Sequence, residues 1–273
     1  MDPFPRAPLI DPRHLLSLLG TIGDRYSIEA LSECESTNTM LLERARKDGA
    51  TAAVARSALL VADKQSAGRG RLGRRWLSSP EGSLTFSVLW HFTGGAARLS
   101  GLPLAVGLAV ARALAACGAH GVGLKWPNDI LLDGGKVGGI LLEAEAAPTG
   151  MLAVLGIGLN LRMPAGDAKE FLYPPAALAQ VLEPVPDRHR VLAQVLIELV
   201  DVLDRFAVAG FAPLRAEWQA RHAWQARHVR LLNDGQADRE GICLGADADG
   251  ALLLQTSSGM ERCFSGDLSL RAA

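Results

Sequence analysis

Apolar and polar positions alternate in short blocks along the chain, some at helical spacing and some as continuous runs of strand length. The first 25 residues carry prolines at 3, 5, 8 and 12, then a cluster at Leu15, Leu16, Leu18 and Leu19, which predicts an extended leader and a short helix. Met40, Leu41, Leu42 and Ala45 follow Ser36-Thr37-Asn38 at helical spacing, and Ser or Thr ahead of such a run is helix-capping chemistry. The runs Ser57–Ala62 and Ser83–Trp90 predict buried strands. Between them, residues 64–75 (KQSAGRGRLGRR) have no apolar period, three glycines and four arginines, and read as a mobile cationic loop. Arg98 to Gly118 has helical periodicity with a glycine at its end, as a long core helix would.

Strand-like pieces at Gly123–Trp126 and Asp129–Leu132 precede a turn at Asp133-Gly134-Gly135. Lys136–Glu145 and Met151–Leu161 complete an expected antiparallel set, and 187–208 and 213–224 read as helices. From about Arg227 the pattern changes to short strands at Val229–Leu232, Glu240–Leu244, Ala251–Gln255 and Arg262–Phe264, separated by NDG, DADG and SSG. Turn signals at that spacing predict a small β-barrel-like domain. The organisation expected is a leader over 1–25, a main domain over 26–225 and a β domain over 226–273.

Composition narrows the class. The 273 residues are 49% apolar and 21% charged, an ordinary globular balance. Twenty-eight basic residues against 29 acidic ones argue against wholesale coating of a polyanion, although a local basic loop stays open. No stretch reaches the roughly 18 uninterrupted apolar residues of a bilayer crossing, and Leu102 to Cys117 contains Pro103 and Arg112. The N-terminus lacks a basic start followed by an apolar core. Cys34, Cys117, Cys243 and Cys263 form no C-x-x-C pair, so reduced thiols and a cytoplasmic location are expected, with no membrane.

The basic side chains are 23 Arg and only five Lys, so each lysine is informative. In Gly68-Arg69-Gly70-Arg71-Leu72-Gly73-Arg74-Arg75-Trp76, glycines let backbone amides approach a ligand and guanidinium groups bind carboxylate or phosphate in bidentate fashion. Such a loop suits closure over an anionic small molecule; a solvated turn or a contact with single-stranded nucleic acid are the other readings. Lys125-Trp126-Pro127-Asn128-Asp129 places polar groups at a strand end. Asp129 there could hold Mg²⁺ or simply belong to a Pro-Asn-Asp turn. Lys136-Val137-Gly138-Gly139-Ile140-Leu141-Leu142-Glu143 and Gly156-Ile157-Gly158-Leu159-Asn160 put glycines inside strands, where a ligand or another backbone comes close. The chain holds no Walker-type loop, G-x-S-x-G elbow or H-E-x-x-H.

The order of these motifs resembles that of biotin–protein ligases: S-T-N, the arginine–glycine loop with its Trp, K-W-P-N-D, K-V-G-G-I-L, G-I-G-L-N and a small β domain ending G-D-L-S-L-R. The resemblance spans roughly residues 30–271. It implies an α+β fold, a mixed and largely antiparallel sheet flanked by helices of the class II synthetase-like kind, with a small SH3-like C-terminal β-barrel. It implies ATP-dependent activation of biotin to biotinyl-5′-AMP, with Mg²⁺ accompanying ATP, and transfer to a lysine of a biotin carboxyl carrier domain. A homodimer is compatible with it.

Carried onto this chain, the resemblance assigns Ser36, Thr37, Asn38, Gln65, Arg69 and Gly70 to the biotin site. Arg71 and Lys136 would bind biotin's carboxylate and serve as catalytic cations. Arg74, Trp76, Asn128, Asp129 and Asn160 would serve the ATP or adenylate part, and Lys125 would be support. Bifunctional relatives carry a winged helix before S-T-N. Only 35 residues precede Ser36, too few for such a domain, so a monofunctional ligase that binds no DNA is expected. A lipoate ligase and a nucleic-acid-binding module are the competing readings.

Overall fold

The computed structural model describes residues 7–48, 56–165, 171, 173–233, 238–264 and 268–272. Asp11 caps the first helix, α1 (Pro12–Leu19), by accepting from the backbone N–H of Arg13, and proline stands in the first turn. A 3₁₀ turn, Gly20–Arg25, leads into β1 (Tyr26–Cys34). The chain then forms α2 (Thr37–Asp48), β2 (Ser57–Gln65), β3 (Ser83–Thr93) and α3 (Leu102–Ala116). Four strands follow: β4 (Val122–Lys125), β5 (Asp129–Leu132), β6 (Gly135–Ala147) and β7 (Gly150–Asn160). Two helices, α4 (Arg188–Ala209) and α5 (Arg215–Ala220), close the first body.

The seven strands make one sheet in the order β1-β2-β3-β7-β6-β5-β4. Only β1 and β2 pair in parallel; the other pairs are antiparallel. Parallel neighbours need a long crossover, and α2 supplies it. The sheet is mixed and largely antiparallel with helices on both faces, as expected. Its central strands are buried on both sides, which is why they read as continuous apolar runs. Leu84, Phe86, Val88 and Trp90 of β3 join the main core with Val106, Leu108, Leu196 and Leu199 of α3 and α4. Leu89 faces the other way and packs with Leu41, Leu42 and Ala45 of α2. By length and composition, α3 with the turn before it could cross a membrane, but it is mostly buried in this core.

A second sheet is built from β8 (His228–Asn233), β9 (Arg239–Ala246), β10 (Leu252–Thr256), β11 (Gly259–Cys263) and β12 (Leu268–Ala272), in the order β11-β10-β9-β8-β12. It shares the main core through Val229, Leu231 and Leu252. Its seam with the larger body is polar as well: the buried Trp126 indole donates to the Gly250 carbonyl at 3.1 Å, and Arg215 Nε donates to the Ala246 carbonyl at 2.7 Å.

Three features depart from the sequence reading. Tyr26–Cys34 is an edge strand of mixed exposure, without the apolar run that marks its neighbours. The helix expected over 213–224 stops at Ala220, because the next residues turn to pair with β4. Arg221 O accepts from Leu124 N, and Ala223 N donates to Leu124 O, which satisfies an edge that would otherwise be bare. The last strands lie at Gly259–Cys263 and Leu268–Ala272, not at 262–264 alone.

His222 is buried at this junction, stacked on Trp218 with ring centroids 4.7 Å apart and 4.0 Å from the Cys243 thiol. Burial lowers its pKa to about 4, against a weaker opposing bond to Gln225. The unfolded chain therefore takes up a proton below about pH 6.5 that the folded chain refuses until about pH 4. The neutral imidazole's contribution is complete above pH 6.5 and falls as pH drops through that window. The expected loss is about 3 kcal/mol. Urea midpoints measured at pH 7.5 and pH 4.5 should show it, and His222→Phe should narrow the difference.

Candidate functional site

One cavity of about 590 Å³ opens where β2, β3, β5, β6 and β7 meet the N-terminus of α2, a size usual for small-molecule sites. Every residue assigned a role from the sequence lines it: Ser36, Thr37, Asn38, Gln65, Arg69, Gly70, Arg71, Arg74, Trp76, Lys125, Asn128, Asp129, Lys136 and Asn160. Arg75 and Arg271 line it too, so seven cationic side chains face a single carboxylate among the lining residues. That imbalance is the electrostatic signature of an anionic ligand.

The arginine loop is folded, not splayed. Gly70 N donates to Arg74 O, Trp76 N donates to Gly68 O, and Arg69 bridges to Arg75 across a 3₁₀ turn at Arg71–Gly73. Its base is tied to the end of β1 by Ser66 N to Cys34 O and Ala67 N to Glu35 O. Trp76 lies on the sheet because β7 offers no side chain there. A Cβ at Gly158 would stand 2.4 Å from the Trp76 ring, and one at Gly156 would stand 2.3 Å from Asn38 Oδ1. Gly158→Ala should therefore push the indole off the cavity floor. We expect affinity for a ligand in this cavity to fall about tenfold or more, from a contact that cannot be relieved without moving a ring. Isothermal titration of that variant with biotin, the ligand that the motif order implies, checks this.

At one end the site is neutral and polar. Ser36 caps α2, accepting weakly from Thr39 N at 3.4 Å, and Ser36, Thr37 and Asn38 are all buried. Gln65 Oε1 accepts from Thr37 N at 2.8 Å, and Thr37 Oγ1 lies 2.7 Å from Ser87 Oγ. Ser87 was not among the residues expected from the sequence.

At the other end charge dominates. Asp129, at the start of β5, is spanned by Lys136 Nζ at 2.5 Å and Lys125 Nζ at 3.0 Å. Burial alone would raise the Asp129 pKa, but the two ammonium groups outweigh it and hold the carboxyl at about 2. Lys125 is enclosed, 4.6 Å from the Tyr173 ring centroid and 5.0 Å from that of Trp224. Burial lowers its pKa, and Asp129 opposes this. Lys125 is thus support for Asp129.

Arg71 Nη1 donates to Asn128 Oδ1 at 3.2 Å, and Asn128 Nδ2 donates to Ile140 O at 2.8 Å, which fixes the amide's orientation. Asn160 spends its Nδ2 on the Ala176 and Lys136 carbonyls and so steadies the strand that carries Lys136. Arg271 arrives from β12, and burial, reinforced by Arg74, lowers its pKa. Arg271 closes the G-D-L-S-L-R motif, which carried no assigned site role, and no motif announced Tyr173.

With both carboxylate oxygens engaged by lysines, Asp129 is a poor resident metal ligand. Among the described residues no group of three or more His, Cys, Asp or Glu side chains could hold a metal ion.

Comparison with known proteins agrees with the geometry. The Biotin/lipoate A/B protein ligase family profile matches residues 32–160, and that of the Biotin protein ligase C terminal domain matches residues 227–271. The biotin--[acetyl-CoA-carboxylase] ligase of Paracoccus denitrificans is 36% identical over 242 residues, covering 85% of this chain and 95% of that protein. Its counterpart in Mycobacterium tuberculosis is 34% identical over 267 residues, covering 96% of each. Among solved structures, the biotin protein ligase from Aquifex aeolicus in complex with biotin and ATP matches with a TM-score of 0.73 at 30% identity. That match covers 90% of this chain and 99% of that one. Identity at this level over nearly whole chains, joined to the cationic cavity, shows that this chain belongs to the biotin protein ligases of the Biotin/lipoate A/B protein ligase family.

Proposed function

We propose that this protein activates biotin with ATP and transfers it to a lysine of the biotin carboxyl carrier domain of a biotin-dependent carboxylase. The observation that carries this reading is the polarity of the cavity, with neutral hydrogen-bonding groups at one end and six cations (Arg71, Arg74, Arg75, Lys125, Lys136 and Arg271) against one carboxylate, Asp129, around the rest. Biotin has the same asymmetry, a neutral bicyclic ureido head and an anionic tail. Ser36, Thr37, Asn38 and Gln65, with the backbone at Arg69 and Gly70, take the head. Arg71 and Lys136 meet the carboxylate. Arg74, Trp76, Asn128, Asp129 and Asn160 serve the nucleotide, which arrives as its Mg²⁺ complex.

In the first step a biotin carboxylate oxygen attacks the α-phosphorus, the bond to the β-phosphate's bridging oxygen breaks, and pyrophosphate leaves. Two anions approach each other, so cations that keep their charge throughout lower the barrier most. In the second step the carrier amine attacks the carbonyl of biotinyl-5′-AMP, loses a proton and expels AMP, leaving an amide. The folded loop shields the mixed anhydride from water between the steps. The scheme asks for no covalent enzyme intermediate.

Biotin-dependent ATP–pyrophosphate exchange by the purified protein tests the first step, and labelled-biotin transfer to a carrier domain tests the second. Exchange driven by lipoate and not by biotin would refute the reading. A cytoplasmic location fits a reaction that consumes ATP and modifies a carboxylase.

A further inference from the structure

We propose that Trp224 is a positioning residue: with Tyr173 it holds the Lys125 ammonium between two ring faces, and through Lys125 and Asp129 it sets where Lys136 stands. This rests on the reading of Lys136 as a catalytic cation. Lys125 is almost fully buried, yet among the described residues Asp129 is its one hydrogen-bond partner, at 3.0 Å. An ammonium carries three N–H donors, and taking it out of water is costly unless they are compensated. The rings supply what is missing. Nζ lies 4.6 Å from the Tyr173 centroid and 5.0 Å from that of Trp224, and the two centroids are 6.1 Å apart with the rings tilted at 51°. A ring face attracts a cation most strongly where water is absent.

Asp129 joins this cradle to the cavity. Its Oδ2 is held by Lys125 and its Oδ1 by Lys136, so the carboxylate cannot turn without moving both. Lys136 lines the cavity, and among the described residues Asp129 is its one ion-pair partner. A lysine carries a point charge on a flexible stem, so Asp129 decides where that charge stands. Lys125, gripped by the rings, decides where Asp129 stands. Both rings come from segments that pair beside these lysines. Next to Tyr173, Pro174 O accepts from Lys136 N at 2.7 Å. The residues before Trp224 pair with β4, which ends at Lys125. Those after it pair with β9: Ala226 N donates to Cys243 O at 2.8 Å, and Cys243 N donates to Arg227 O at 2.9 Å. Trp224 thus stands between the two sheets, and a shift of one against the other moves the ring that grips Lys125.

Trp224→Leu removes the ring face and keeps an apolar side chain, whereas Trp224→Phe keeps a face. The readouts are single-turnover formation of biotinyl-5′-AMP by rapid quench, which registers slow variants, and the KM values for biotin and ATP in pyrophosphate exchange. Trp224→Leu should slow adenylate formation about tenfold with both KM values within about threefold of wild type, because a misplaced charge is felt most as the two anions meet. Trp224→Phe should stay within about threefold of the wild-type rate. Lys125→Met should itself cost at least about tenfold. In that background Trp224→Leu should add less than about twofold, since the ring acts through the ammonium.

If Trp224→Leu folds poorly, Tyr173→Leu set against Tyr173→Phe, with the same Lys125→Met background, asks the question of the other ring. Trp224→Phe as slow as Trp224→Leu, a loss carried by KM alone, or equal losses from Trp224→Leu with and without Lys125 overturns the proposal. Wild-type protein that forms no adenylate from biotin and ATP overturns the underlying site reading instead.

Discussion

Arg71→Ala should slow biotin-dependent ATP–pyrophosphate exchange by roughly two orders of magnitude, equivalent to about 2.7 kcal/mol of barrier. The guanidinium sits in the cavity wall with Asn128 as a neighbour, and Asn128 keeps its own anchor on Ile140 O when Arg71 is shortened. The substitution therefore removes charge from the meeting point of carboxylate and α-phosphate without loosening a strand. Because the same side chain would help retain the adenylate, the variant should also release it and label lysines indiscriminately. Rapid-quench measurement of adenylate decides the matter, since an unchanged first turnover would remove Arg71 from the chemistry.

Lys136→Met should cost a similar factor in adenylate formation and carry a second signature that Arg71→Ala lacks. Lys136 is the nearer of the two cations on Asp129, and both hold that buried carboxyl at about 2 against the opposing effect of burial. A depressed carboxyl stabilises the fold fully above its unfolded value near 4 and loses this as pH falls toward 2. With only Lys125 left, the folded pKa rises, so protonation of Asp129 begins at a higher pH. Melting temperatures at pH 7 and pH 4 should differ more in Lys136→Met than in wild type. Equal differences would mean that Lys125 alone sets the carboxyl. Lys136→Arg keeps the charge but spreads it over a planar fork, so it should restore the acid profile better than the rate.

The residues legible in the sequence were those whose types are rare or costly elsewhere. Lysine is scarce here, glycine weakens strands, and closely spaced arginines repel each other, so Lys136, Gly156, Gly158 and the loop stood out before any coordinates. Their convergence on one cavity is what the motif order implied. Ser87 and Tyr173 occupy positions that look like ordinary strand or loop, and Arg271 ends a motif that carried no assigned site role; tertiary packing brings Tyr173 and Arg271 to the cavity and Ser87 against Thr37 and Asn38. Trp224 is hidden for the same reason, since a tryptophan at the end of an expected helix gives no hint that Lys125 will meet its ring. For the fold, β3 and β7 were plain because both of their faces are apolar. β1 was missed because an edge strand needs less apolar surface, and α5 was overextended because periodicity does not register the backbone demands of β4.

Arg271 reaches the cavity from β12, while Ser36 to Asn38 enter it from the start of α2. The site therefore joins segments from opposite ends of the chain, and no early folding unit can contain it. Contacts of such wide sequence separation form late, after the entropy of closing long loops has been overcome. During refolding, helical signal should return before biotin affinity does. Any ligand that bridges β12 and α2 would then act as a clasp on the last-formed part of the molecule, raising resistance to proteolysis most at those two elements.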